Sequence, residues 1–223
     1  MRIAPLDNGS NHFAQARAHM VEEQLRARGI RDQRLLDAMG KVAREEFIAS
    51  EDFRDAYGDH PLPIGAGQTV SQPYIVAAMV EALEVKPTDR VLEVGTGTGY
   101  QAAILAELAS QVWTIERHEV LANKAREILD RLGYANAHVV QGDGSLGLPE
   151  HAPFDKILVA AAAPRIPESL LAQLANGGRL VVPVGSRFEQ QVNVIRKEGG
   201  EITVTTHDLC RFVPLVGAEG WPA

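Results

Sequence analysis

From residue 90 onward the chain alternates between two patterns. Short apolar runs at 90–94 (RVLEV), 111–116 (QVWTIE), 137–142 (AHVVQG), 156–162 (KILVAAA) and 177–185 (GGRLVVPVG) read as strands buried on both sides. Between them, 100–109, 118–133 and 166–175 repeat their apolar positions with helical spacing. Buried strands alternating with helices predict a doubly wound α/β fold, a mostly parallel sheet with helices on both faces. After residue 190 only strand patterns follow, at 191–197, 201–209 and 211–216, with an antiparallel pair expected across Gly199-Gly200. Ligands in such a sheet bind at the carboxyl ends of the strands, near the point where strand order reverses.

The first third follows a different rhythm. Phe13 to Arg28 is rich in helix formers and Gly29 is a stop signal. Asp32 is placed to cap a short helix that Gly40 would end. Residues 57–72 carry Gly58, Pro61, Pro63, Gly65 and Gly67, a density of breakers that predicts a long loop. Pro73 then suits the first turn of a helix, YIVAAMVEAL. The expected organisation is a helical annex with a loop over 1–72 and a ligand-binding core over 73–223, forming one compact unit.

Composition narrows the function. Apolar residues make up 45%, enough for a full core. The net charge of −7 argues against a nucleic-acid binder and leaves small ligands or peptides as partners. The longest strictly apolar run, 157–163, has seven residues, and a membrane helix needs about 20. The opening MRIAPLDNGS has no apolar stretch of the secretory kind. A single cysteine, Cys210, excludes an internal disulfide and fits a reducing compartment, so a cytoplasmic monomer is expected. Cys210 reads as a structural thiol. The seven histidines form no ligand spacing, so no metal site is expected. Arg26, Arg28, Arg31 and Arg34 read as a solvated helical face.

The strongest local signal is Glu93-Val94-Gly95-Thr96-Gly97-Thr98-Gly99-Tyr100, which leaves a strand and opens a helix. A dinucleotide loop is spaced G-x-G-x-x-G; here the third glycine arrives one position early. The lysine of a P-loop is missing. Glu116, at the end of the second strand, can accept both hydroxyls of a ribose, a feature shared by NAD and other nucleoside ligands. Asp143 lies in QGDGSLG after the third strand. Each of these has a plain structural reading as a turn or a solvated strand end; their register on successive strand ends favours a ligand site.

The E-x-G-x-G-x-G form resembles the first motif of the class I S-adenosylmethionine-dependent methyltransferases. That resemblance implies S-adenosyl-L-methionine as cofactor, held at its methionyl end by Gly95, Thr96, Gly97 and Gly99. It also implies Glu93 near the ammonium, Glu116 on the ribose, and Asp143 and Gly144 at the adenine. Further stretches carry a closer likeness: 61–74 (PLPIGAGQTVSQPY), 142–144, Ala161-Ala162-Ala163-Pro164, Gly177-Gly178-Arg179-Leu180, and Arg211-Phe212-Val213-Pro214-Leu215. With the glycine loop they resemble the protein-L-isoaspartate O-methyltransferase family over about residues 20–217. The G-Q-T-V-S-Q-P segment is the most specific part. Ala43-Arg44-Glu45-Glu46-Phe47 departs from a frequent Pro-Arg, and Thr98 stands where serine is common; neither touches the expected chemistry.

The resemblance implies methyl transfer to the free carboxylate of L-isoaspartyl residues in damaged proteins and peptides, often of D-aspartyl residues too. The ester then closes to a succinimide and repair follows. It makes Ser71 the active-site residue, with the alternative that Ser71 only caps the helix at Pro73. Thr69 is a weaker substrate contact, and Val213 and Leu215 resemble a strand that pairs with the bound peptide. Two alternatives stay open at this point: a related methyltransferase acting on another peptide carboxylate, and a dinucleotide-dependent oxidoreductase or silent binding module.

Overall fold

The computed structural model describes residues 8–222; the opening segment up to residue 7, where the absence of a secretory stretch was read, lies outside the described residues. The first helix, α1 (Asn8–His19), begins before the expected Phe13 and runs on through a π turn, Met20–Leu25, and a 3-10 turn, Arg26–Arg28. It stops at Gly29, whose φ of 106° is left-handed. Asp32 caps α2 (Gln33–Lys41), its carboxylate accepting the N–H groups of Arg34 and Leu35. Gly40 was expected to end α2 but lies inside it. A glycine costs a helix only about 1 kcal/mol, and buried Leu35, Leu36 and Met39 hold that helix on the core.

The 57–72 segment is not wholly a loop. It folds into a hairpin, β1 (Leu62–Gly65) and β2 (Gln68–Val70), paired Leu62 to Val70 and Pro63 to Thr69. Gly65, Ala66 and Gly67 all take positive φ, so the breakers mark a tight turn between short strands. Pro73 opens α3 (Pro73–Leu83) as expected.

The central sheet has seven strands. They are β3 (Arg90–Val94), β4 (Gln111–Glu116), β5 (Ala137–Gln141), β6 (Phe154–Val159), β7 (Leu174–Gly185), β8 (Gln190–Glu198) and β9 (Glu201–Cys210). Their order is β5-β4-β3-β6-β7-β8-β9. The first five are parallel; β8 and β9 add antiparallel neighbours. Alternate residues serve opposite faces. Val91, Val112, Leu158 and Val181 join a core with α2, α3, α4 (Tyr100–Leu108) and α5 (Glu119–Arg131). Leu92, Ile157, Leu180 and Val182 join a second core beneath α6 (Glu168–Gln173). Strand order reverses between β3 and β6, so their carboxyl ends flank a crevice.

Residues 211–216, expected as a last strand, are not one. They cross the strand ends with one bridge to the sheet side, Ala162 to Pro214, and one to the tail, Val216 to Trp221. Pro214 has no N–H to extend a ladder. Ala162 N–H donates to Val213 O and Leu215 N–H to Ala162 O, each at 2.8 Å, and Phe212 N–H donates to the Gln190 side chain on β8 at 2.9 Å.

Candidate active site

The crevice between β3 and β6 opens into one cavity with two walls. The first wall is the turn from β3 into α4. Gly95, Gly97 and Gly99 all have positive φ there, which lets the chain reverse sharply over the end of the sheet. The loop is stitched underneath. Gly95 N–H donates to Ile115 O at 2.9 Å, and Gly97 N–H donates to Glu116 Oε2 at 3.0 Å. Thr96 and Thr114 hydroxyls meet at 2.6 Å, and Thr114 donates to Glu93 Oε2 at 2.5 Å. Gly144 completes this side. A Cβ there would lie 2.5 Å from Val94 Cγ1, so only glycine lets the 143–146 turn approach.

Glu116 lines the cavity at the end of β4. Each of its oxygens accepts one backbone N–H, from Gly97 and from His118, and each retains a further lone pair. Glu93 is fully buried behind the loop, and its Oε1 has no partner. Burial pushes its carboxyl up to about 8, with a smaller upward push from Glu116 and an opposing pull from the Thr114 hydroxyl.

Asp143 is placed differently from the sequence expectation. Its Oδ1 accepts from Ser145 N–H at 2.9 Å and Ser145 Oγ at 2.7 Å, and its Oδ2 accepts from Ala218 N–H at 2.8 Å. Burial acts to raise its pKa, and these hydrogen bonds outweigh it, so the carboxyl sits below its ordinary value. Asp143 is not among the cavity-lining residues; it ties the tail to the third strand's turn.

The second wall is the β1–β2 hairpin and the start of α3. Thr69, Val70 and Ser71 line the cavity opposite the glycine turn. The cap position of α3 is Gln72, and the side chain that reaches its first turn is Asp59, whose Oδ1 accepts the Tyr74 N–H at 3.2 Å, so the Ser71 hydroxyl is not spent as a helix cap. What holds this wall is Arg44, fully buried on a 3-10 turn (Arg44–Phe47). Its guanidinium donates to Ala56 O and Ser71 O, both at 2.8 Å, and lies 4.8 Å over the Tyr100 ring. Behind it, the Tyr57 hydroxyl donates to Glu45 and accepts from Arg44 N–H and Arg17.

Val213, Pro214, Leu215 and Val216 close the cavity from above. Leu215 has no main-chain group free for strand addition. Its N–H donates to Ala162 O, and its C=O accepts from Trp221 N–H. The N–H of Val213 has no partner among the described residues. A second cavity of about 630 Å³ shares Thr69, Ser71, Ala160 and Val213 with the first and extends over Tyr74, Met79 and Phe212. Arg28 lies on its rim, stacked 3.6 Å over Tyr74 and paired with Asp59. Arg34 reaches Val85 O and Leu108 O. Neither belongs to a purely solvated face. Cys210 is half-buried and burial pushes its thiol up to about 11.

Of the residues singled out from sequence, Thr69, Ser71, Gly95, Thr96, Gly97, Glu116, Gly144, Val213 and Leu215 meet around one cavity. Glu93 and Gly99 lie just behind it and Asp143 beside it. Sequence reasoning assigned no role to Arg44, Tyr100 or Gln101. Arg44 was on view in the departing Ala43-Arg44-Glu45 stretch, but nothing in its local pattern marks it as buried.

Comparison with known proteins adds a consistent set of likenesses. The family profile described as protein-L-isoaspartate(D-aspartate) O-methyltransferase matches residues 15–220. A protein-L-isoaspartate O-methyltransferase of Koribacter versatilis is 59% identical over 209 residues, 94% of each chain. One from Pelobacter propionicus is 56% identical over 205 residues, 91% of each chain. Among solved structures, a protein-L-isoaspartate O-methyltransferase superposes with a TM-score of 0.83 at 30% identity, covering 92% of this chain and 67% of the other. The Plasmodium falciparum protein-L-isoaspartate O-methyltransferase in complex with S-adenosyl-L-homocysteine gives a TM-score of 0.78 at 27% identity, over 90% and 98% of the two chains.

Proposed function

The chain belongs to the protein-L-isoaspartate(D-aspartate) O-methyltransferase family, and from that premise we propose how its residues divide the work. It is a methyltransferase that uses S-adenosyl-L-methionine to methylate isoaspartyl carboxylates in proteins. The residues suit that cofactor: a buried carboxylate oxygen of Glu93 lacks a partner, and only a glycine at 144, where a Cβ would collide with Val94, lets the 143–146 turn close on the cavity. When bound, S-adenosylmethionine supplies an electrophilic methyl group on sulfur.

Gly95, Thr96, Gly97 and Gly99 shape the seat for its methionyl end, and Glu93 faces the ammonium. Glu116 holds the ribose hydroxyls with its remaining lone pairs. Gly144 gives the adenine room, and Asp143 acts there by fixing the Ala218 turn and through the lone pair left on Oδ2. Ser71 orients the acceptor carboxylate, Thr69 and the Val213 N–H hold the peptide, and Leu215 supplies an apolar lid. The acceptor needs no general base, because a carboxylate of pKa about 4 is already ionised at neutral pH. The protein's contribution is alignment, which can supply roughly 7–11 kcal/mol of a barrier. The working form is a cytoplasmic monomer acting on protein and peptide carboxylates, not nucleic acid. In support, the net charge is −7, and among the described residues no helix is long and apolar enough to cross a membrane.

The observation that carries this reading is the meeting of Ser71 with the glycine turn across one cavity. The test is label transfer from S-adenosylmethionine to paired peptides that differ only in carrying isoaspartyl or aspartyl at one site. Methylation of the isoaspartyl peptide alone is expected. Equal labelling of both, or of neither, would overturn it.

A further inference from the structure

α4 begins at the cavity with Gly99 at its cap position, and the Thr98 hydroxyl accepts the Tyr100 N–H at 3.4 Å. The next N–H groups, of Gln101 and Ala102, and the positive end of the dipole face the space between the two walls. One position into that turn stands Gln101, a side chain 8% exposed that lines the cavity beside Thr98 and Tyr100. Its Nε2 is buried with no hydrogen-bond partner, its Oε1 has none among the described residues, and a half-turn of the terminal amide presents either end to the cavity. A buried amide left without partners is costly in the free protein. A neutral donor retained at that cost, at a helix N-terminus, suits an anion that arrives with a ligand.

Two carboxylates enter this site: the one that accepts the methyl group and the one at the methionyl end of the cofactor. They differ in what happens to their charge. The acceptor loses its charge as the oxygen–carbon bond forms, so a group that stabilises it as an anion without aligning it for attack is weakened in the transition state and raises the barrier. The methionyl carboxylate stays charged throughout, so stabilising it costs the reaction nothing. The positive end of α4 and the Gln101 amide favour a negative charge on the glycine wall, and the buried Arg44 guanidinium adds to this from the far side of the Tyr100 ring. A neutral amide also does this without forming a competing ion pair with Glu93 or Glu116.

We propose that Gln101 donates its amide hydrogens to the methionyl carboxylate of S-adenosylmethionine, opposite the Glu93 oxygen that faces the ammonium. The two form a receptor for the amino-acid head group, one acceptor and one donor on consecutive elements. The assignment rests on the methyltransferase reading and adds to it a residue outside the glycine motif.

Two probes separate it from that reading. S-adenosylhomocysteine carries the amino-acid head group; 5′-methylthioadenosine has the same nucleoside and sulfur without it. In calorimetric titrations, Gln101→Leu should weaken S-adenosylhomocysteine binding about tenfold or more, the scale of a hydrogen bond to a charged group. Affinity for methylthioadenosine and KM for an isoaspartyl peptide should stay within about twofold. Gln101→Met, which keeps the side-chain length, should behave alike, and thermal unfolding of both variants checks that the fold is retained. Loss of both ligands together, unchanged affinity for both, or a raised peptide KM with unchanged S-adenosylhomocysteine binding would each overturn the assignment. Wild-type protein that takes up neither probe would overturn the methyltransferase reading and this assignment with it.

Discussion

The two walls of the site are built by opposite strategies. The glycine wall is local: Glu93 to Tyr100 are contiguous, and its shape follows from positive-φ glycines sitting on neighbouring strand ends. Its supports are the next strand's own backbone and the Thr96–Thr114–Glu93 chain. The Ser71 wall is remote. Its short hairpin has only two strands, and such a unit is marginal alone. It keeps its position because a buried arginine 27 residues upstream holds Ser71 O. A wall made of backbone geometry tolerates side-chain change behind it; a wall held by one guanidinium should fail when that group is removed.

The largest expected effect breaks the second wall. Arg44→Ala leaves the carbonyls of Ala56 and Ser71 without a donor and a void beside Tyr100. Loss of buried charge-assisted bonds plus a cavity should cost about 2–5 kcal/mol of stability. A raised peptide KM with a much smaller change in S-adenosylhomocysteine affinity is the expected signature. Arg44→Lys should rescue it only in part, because an ammonium cannot serve both carbonyls while lying flat over a ring. Thermal unfolding and KM values at wild-type level in the alanine variant would mean that the hairpin holds itself.

A smaller, ligand-specific effect tests the first wall. Glu116→Ala removes the acceptor of the Gly97 N–H and the ribose partner together. At about 1.5–3 kcal/mol for hydrogen bonds to a charged group, S-adenosylhomocysteine affinity should fall roughly 10- to 150-fold with the peptide KM little changed. Unaltered affinity by calorimetry would remove Glu116 from the site. Ser71→Ala then separates chemistry from scaffolding on the other side. Its hydroxyl caps nothing, so stability should be unchanged. Turnover should fall about tenfold, at the lower end of that scale, because the carboxylate brings its own nucleophile. A lowered melting temperature with wild-type turnover would make it a structural residue.

The contrast also explains what could be read from the sequence. The five parallel strands, the helices between them and the Pro73 helix start were legible because burial on both faces and helical spacing are local signals. So was the glycine turn, where composition and φ are tied directly. The 57–72 hairpin was half legible: its breakers marked a turn, but strands of four and three residues leave no period to detect. The 211–216 stretch had the apolar character of a strand and lacked only the N–H that Pro214 cannot provide. Arg44 and the engagement of Asp143 by Ala218 were not legible, because each depends on a partner brought in by the fold, and Gln101 was not, because its burial without a partner is set by tertiary packing.

The smallest effect concerns a proton on the glycine wall. Glu93 carries a carboxyl raised to about 8, chiefly by burial, so the free protein holds it mostly neutral at pH 7. An arriving ammonium favours the charged form. Binding of S-adenosylhomocysteine at pH 7 should therefore release close to one proton, and affinity should rise with pH, by no more than about tenfold per unit, levelling near pH 8. Methylthioadenosine, without the ammonium, should release none. Stability of the free protein runs the opposite way. The group's pKa is raised on folding, so its favourable contribution is full below the ordinary carboxyl range and is lost as pH climbs toward 8. Glu93→Gln should flatten both dependences, weakening S-adenosylhomocysteine while raising the melting temperature of the free protein at pH 8. Titrations in buffers of different ionisation enthalpy count the proton. A count of zero for S-adenosylhomocysteine, with affinity flat from pH 6.5 to 8, would place the ammonium away from Glu93 and leave the glycine wall a purely backbone device.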